Sequence, residues 1–136
     1  MTDVEFTSAL VCEDCRREEN GKLILIGVYS GGVLSTQPFP LKFRPMFYLA
    51  GHATPGTYEI QFRLLPPSSR KPIISAKATA TISNENLDSR GRVGFGIPLQ
   101  APLLEISQEG LHKLQTRANG SRWKTMLEVN IAEGEQ

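Results

Sequence analysis

The sequence predicts an all-β fold, an antiparallel β-sandwich of immunoglobulin-like architecture with about eight strands. Three observations predict this class. Several segments alternate strictly between apolar and polar residues, as strands do in a sheet with one buried face. Turn-forming residues recur about every 8–15 positions, and no convincing long helical pattern is present.

The clearest strands are residues 57–64 and Ile74–Ile82. In the first, aromatic and aliphatic residues fall at every second position, and Pro-Gly and Pro-Pro pairs mark its ends. The second repeats the alternation with small alanines. Because a short Pro- and Ser-rich connection joins them, we expect an antiparallel hairpin.

The C-terminal segment alternates in the same way, which predicts that Trp123 lies with the core residues. Met126 is then the one apolar residue on the polar side of a clear strand, which points to a contact surface there. Asn119-Gly120 supplies the positive φ angles of a tight turn, so this strand is expected to pair with residues 111–117. The alternative for residues 111–117 is a short helix beginning at Ser107.

The N-terminal half adds less regular strands. Residues 22–29 are apolar on both faces, which favours a central strand. Residues 41–53 form a strand region bent or broken at Pro45, because proline cannot donate to a ladder. The other expected strands are residues 7–12, 92–99 and 103–106.

The length and the net charge of the chain restrict the number of domains and the classes of partner that we expect. The 136 residues fit one domain, residues 1–132, followed by a flexible tail, residues 133–136. Fifteen basic and 14 acidic residues give a net charge of +1, which offers little attraction to nucleic acid or to an anionic membrane. Two cysteines and no recognisable leader sequence favour the cytoplasm.

Cys12 and Cys15 form a C-x-x-C pair, which elsewhere serves as a redox couple or as half of a zinc site. Here the pair ends a predicted strand and encloses two acidic residues, which raise thiol pKa values. The only histidines, His52 and His112, lack zinc-motif spacing. The favoured interpretation is one buried small residue and one rim thiol.

Asn84, Asn86 and Asp88 place oxygen ligands at alternate positions, as calcium loops do. The loop lacks the later bidentate acid of an EF-hand, and these residue types also favour turns. The turn is therefore favoured, with calcium binding as a weaker candidate. No cofactor is expected.

Catalytic and phosphate-binding motifs are absent from the sequence. No serine lies in Gly-x-Ser-x-Gly, and neither histidine has a local partner that would define a role. The glycines of residues 91–96 precede no Lys-Ser/Thr pair, so they indicate a bulge or close packing within a strand. The sequence therefore does not predict an enzyme.

The opening of the chain contains Cys12-Glu13-Asp14, Asn20-Gly21-Lys22 and Ile26-Gly27-Val28-Tyr29. This stretch resembles the opening of a family of short bacterial and phage-associated proteins of unknown function. The resemblance covers about the first 30 residues and implies a β fold without adding a mechanism.

These observations together predict a non-catalytic module that binds another protein or itself through loops or an edge strand. The alternative is a sandwich that binds a carbohydrate or calcium. No nucleic-acid or membrane partner is expected.

Overall fold

The computed structural model describes residues 4–29, 33–35 and 38–133. Within them the chain forms eleven strands and no helix, which confirms the all-β class. The strands are β1 (Val4–Arg17), β2 (Leu23–Val28), β3 (Val33–Ser35), β4 (Leu41–Phe43), β5 (Met46–Ala53), β6 (Gly56–Leu65), β7 (Ile74–Ile82), β8 (Val93–Gln100), β9 (Leu104–Ile106), β10 (Gly110–Ala118) and β11 (Lys124–Glu133). The count exceeds the expected number because residues 41–53 divide at Pro45 into β4 and β5, and because the three-residue strand β3 is too short to show alternation.

The strands form three sheets. The four-stranded sheet has the order β2-β1-β5-β8, the five-stranded sheet the order β3-β11-β10-β6-β7, and β4 pairs with β9. Neighbouring strands are antiparallel, as expected, except that β3 runs parallel to β11. No helix in the described part of the chain is long and apolar enough to cross a membrane.

The core lies between the two larger sheets. Alternate side chains of β6 point inward and are almost fully buried, as its sequence predicts. Phe62 of β6 meets Phe47 of β5, with ring centroids 6.2 Å apart and planes inclined by 56°. This contact joins the four-stranded sheet to the five-stranded one, so both sheets contribute to one apolar layer.

Both predicted hairpins are confirmed. β6 pairs with β7 over the expected residues, with the β7 alanines on the inward face. β10 pairs with β11, and Asn119 and Gly120 between them have φ angles of 50° and 72°. The helical alternative for residues 111–117 is wrong, because this segment lies in β10 and hydrogen-bonds on both sides, to β6 and to β11.

The chain breaks between β4 and β5 at Arg44-Pro45, as predicted. Pro45 is buried, and its carbonyl accepts a hydrogen bond from the amide of Ala101 at 3.2 Å. At the other end of the chain Glu133 still belongs to β11, where the sequence analysis expected the flexible tail to begin. The rest of that tail, residues 134–136, lies outside the described residues.

The central position expected for residues 22–29 is wrong. β2 is an edge strand that pairs with β1 alone. Ile24, Ile26 and Val28 are 43%, 38% and 43% exposed. Apolar residues on both faces suggested burial, but pairing with distant segments decides which strand lies at the centre, and β5 takes that place beside β1.

A β-bulge in the β10–β11 pair changes which side chains of β11 face the core. Leu114 pairs with Leu127, but the next residue of β10, Gln115, pairs with Thr125. Met126 is therefore the extra residue, and a one-residue shift exchanges the two faces of a strand. Met126 packs against the core, and the expectation that Trp123 lies with the core residues is wrong.

We expect Leu114→Ala to lower the free energy of unfolding by about 3 kcal/mol, because it leaves a cavity at a fully buried position in the middle of β10. Urea denaturation measures this change. Leu111→Ala on the same strand is the matched control, because Leu111 is 49% exposed, and it should cost less than about 1 kcal/mol. Equal losses in the two variants would contradict the assigned faces of β10.

Candidate interaction surfaces

The two cysteines are both free, and they do not converge. They lie three residues apart on β1, and an extended strand directs such residues to opposite faces. Cys12 is fully buried, and its Sγ donates a hydrogen bond to the carbonyl of Asp14 at 3.3 Å. Burial, followed by the charges of Cys15 and Asp14, raises the pKa of Cys12. Cys12 thus occupies the place of a small buried residue, and Cys15 is partly exposed.

The two histidines lie in different sheets. His52 is in β5, and His112 is in β10, where it is fully buried. Nδ1 of His112 lies 3.0 Å from the carbonyl oxygen of Gly110, so this nitrogen carries the proton, and buried Nε2 has no hydrogen-bond partner. Burial therefore lowers the pKa of His112, and the hydrogen bond to Gly110 offsets only part of that effect.

The loop between β7 and β8 contains the weak calcium candidates. Asn84, Asn86 and Asp88 are all exposed. Oδ1 of Asp88 accepts hydrogen bonds from the amides of Arg90 at 2.8 Å and Arg92 at 2.9 Å, and Asn86 has a φ of 55°. These bonds organise a turn, which is the role that the sequence favoured. Calcium binding stays a prediction, and in the described part of the chain no three His, Cys, Asp or Glu residues form a metal-binding group.

Glycines in β8 permit close packing at an edge of the four-stranded sheet. A Cβ atom at Gly96 would overlap the side chain of Tyr48 on β5. A Cβ atom at Gly94 would make only ordinary contacts with His52, at 3.8 Å. Close packing, one of the two roles expected for these glycines, is therefore seen at Gly96.

The opposite edge of that sheet exposes an apolar surface. We call Ile24, Ile26 and Val28 the β2 row, because they point to the same face of this edge strand. Leu10 of β1, on the same face, is 37% exposed. The exposed ion pair between Arg16 and Asp14, 3.3 Å from Nε to Oδ2, lies beside the row on β1. Apolar surface with a polar rim is typical of interaction sites.

A second surface lies on the outer face of the five-stranded sheet. Because of the bulge, Trp123 points outward, and it meets two arginines there. The guanidinium carbon of Arg63 on β6 lies 4.1 Å from the ring centroid of Trp123, and that of Arg117 on β10 lies 4.3 Å from it. Each cation–π contact contributes about 0.5–2 kcal/mol, depending on its exposure. We call these three residues the Arg–Trp cluster.

Two glutamines hold the arginines of the Arg–Trp cluster in place. Nε of Arg63 donates to Oε1 of Gln115 at 2.8 Å, and Nε of Arg117 donates to Oε1 of Gln61 at 2.6 Å. Gln115 in turn donates from Nε2 to the hydroxyl of Thr125 at 3.0 Å. The glutamines and arginines face each other across β6 and β10. Both guanidinium groups are therefore fixed before any partner binds.

Neither surface is predicted by the sequence. The β2 row was assigned to the interior, and Trp123 was assigned to the core. One signal for the bulge was present: Met126 was the one apolar residue on the polar side of its strand. A register shift explains that position better than a contact surface does, because Met126 packs against the core.

No model of a known protein family matches the chain, and no curated protein matches it significantly.

We expect the free energy of unfolding to fall as the pH is lowered below about 6.5, because of His112. Its pKa in the folded state lies below the ordinary value of 6.5, so the unfolded chain takes up the proton first. The contribution is complete above pH 6.5 and is lost as pH falls towards the lowered pKa. Urea denaturation across this range measures the slope.

His112→Phe should flatten the slope, since Phe has a ring of similar size and takes up no proton. His52→Gln is the matched control, because it leaves His112 in place and should keep the wild-type pH dependence. A wild-type slope in His112→Phe would contradict the prediction.

Proposed function

We propose that this chain is a non-catalytic assembly module, an immunoglobulin-like sandwich that pairs with a second copy of itself through β2. The observation that carries the proposal is the β2 row, an apolar surface on an edge strand. Edge strands present unpaired backbone N–H and C=O groups, which makes them templates for another strand.

β2 lacks the features that usually keep sheet edges apart. Natural edge strands often carry charged residues or proline, which block pairing with another strand. Between Leu23 and Val28 this strand has neither. Its sequence therefore permits backbone pairing over residues 23–26, before Gly27, whose φ of 66° interrupts the extended backbone. The exposed side chains of the strand favour contact with apolar surface.

Self-pairing fits β2 because the strand is uncharged. Two copies related by a two-fold axis would place the strand antiparallel to itself and set one β2 row beside the other. Such pairing brings no like charges together within the strand. The exposed apolar side chains of both copies would then form one continuous strip that is removed from water.

The remaining parts of the proposal have separate support. Opposed cysteines and a fully buried histidine are poor candidates for catalytic groups, which supports a non-catalytic role. Free thiols support a cytoplasmic location. The opening residues support a place among short bacterial and phage-associated proteins.

The test is the solution mass measured by light scattering over a range of protein concentrations. We expect the wild-type protein to form a dimer. Ile26→Lys should raise the dissociation constant by at least about tenfold, because it places a charge in the β2 row and like charges meet across the two-fold axis.

Leu103→Lys is the matched control. Leu103 is 56% exposed and lies outside β2, between β8 and β9, so this variant should remain a dimer with the wild-type constant. A monomeric wild-type protein at high micromolar concentration would overturn the self-assembly proposal. Equal weakening by both lysine variants would place the interface away from β2.

A further inference from the structure

The Arg–Trp cluster places two like charges close together without a compensating acid. Both guanidinium carbons lie near the centroid of one indole ring, so the two cations are neighbours. Neither forms an ion pair with a carboxylate of the described residues. Partial burial, followed by the charge of Arg117, lowers the pKa of Arg63, as expected for two cations held together.

The hydrogen bonds within the Arg–Trp cluster leave the terminal Nη groups of both arginines available to bind a partner. In each arginine Nε is used by a glutamine. The terminal Nη groups of Arg63 and Arg117 donate to no acceptor among the described residues. A guanidinium fork of this kind matches the two oxygens of a carboxylate or the oxygens of a phosphate.

The surrounding face is basic. On the described outward positions of β6, β7, β10 and β11, four basic residues stand against two acidic ones. The basic residues are Arg63, Lys77, Lys113 and Arg117, and the acidic ones are Glu59 and Glu128. A chain with a net charge of only +1 therefore carries a local excess of positive charge here, which attracts an acidic partner.

The geometry of Trp123 distinguishes between two classes of acidic partner. Single-stranded nucleic acid is held by bases stacked on exposed aromatic rings. The ring of Trp123 is already engaged by two guanidinium groups, and no other aromatic residue occupies a described outward position of β6, β7, β10 or β11. Fixed arginines beside a tryptophan are instead the residue types that dominate binding energy at protein interfaces.

We propose that the outer face of the five-stranded sheet binds an acidic segment of a protein partner, whose carboxylates bind Arg63 and Arg117 beside Trp123. This site lies on a different sheet from the β2 row. It does not depend on self-assembly, so either proposal can fail alone.

The test uses the only tryptophan of the chain as the reporter. A synthetic decapeptide of glutamate is titrated into the full-length protein while the emission of Trp123 is recorded. A glutamine decapeptide and a ten-residue oligothymidylate are the comparison probes. We expect saturable binding of the glutamate peptide that weakens with added salt, and weaker or no binding of the other two.

Arg63→Gln and Arg117→Gln should each weaken binding of the glutamate peptide by roughly tenfold or more. Arg63→Lys keeps the charge but loses the planar fork, so it should also weaken binding. Arg70→Gln is the matched control, because it removes one charge from an exposed residue between β6 and β7 and should change affinity less than about twofold. Near-ultraviolet circular dichroism and urea denaturation confirm that each variant is folded.

Three outcomes would overturn the proposal. The first is a wild-type protein that binds no glutamate peptide. The second is an equal loss in Arg70→Gln and Arg63→Gln, which would show attraction by net charge rather than by the cluster. The third is tighter binding of oligothymidylate than of the glutamate peptide, which would assign the face to nucleic acid.

Discussion

Packing between the inward faces of the two larger sheets is the interaction on which the other features depend. The contact of Phe47 with Phe62 joins the sheets, and the inward rows of the strands around it fill the layer. Because side chains alternate along a strand, fixing the inward set also fixes the outward one. Gln61 and Arg63 point to solvent because their neighbours on β6 are held in the core. The positions of the polar surface groups are therefore set by apolar packing.

The sequence predicted the parts of the fold that depend on local pattern. In β6 and β7 strict alternation identified both strands, their inward faces and their pairing. The sequence pattern could not show the position of β2 in its sheet, because an apolar strand has the same pattern at the centre of a sheet and at its edge. That difference depends on which distant segments compete for β1, and in this chain β5 takes its other side. The β2 row was therefore missed because the order of strands in a sheet does not follow from the pattern within one strand.

The Arg–Trp cluster was missed for a different reason. A bulge is a property of two strands, since it appears only when the residues of one are counted against those of the other. Along β11 alone the alternation continues past the bulge, and the one sign of the exchanged faces is an apolar residue, Met126, on the polar side of the strand. Leu127, Val129 and Ile131 were assigned correctly, while the residues before the bulge took the opposite faces. The turn around Asp88 was easier to predict from the sequence, because its hydrogen bonds join residues that are close together in the chain.

The bulge has a consequence for how such a surface arises in evolution. With the extra residue at the bulge, the side chain of Trp123 points outward. Without that residue it would point inward, while the pairing of β10 with the rest of β11 would stay the same. A single-codon insertion or deletion could therefore create or abolish the cluster without rebuilding the fold. Among homologous chains, a one-residue gap between positions 123 and 127 would divide those with this surface from those without it, even where both arginines are kept.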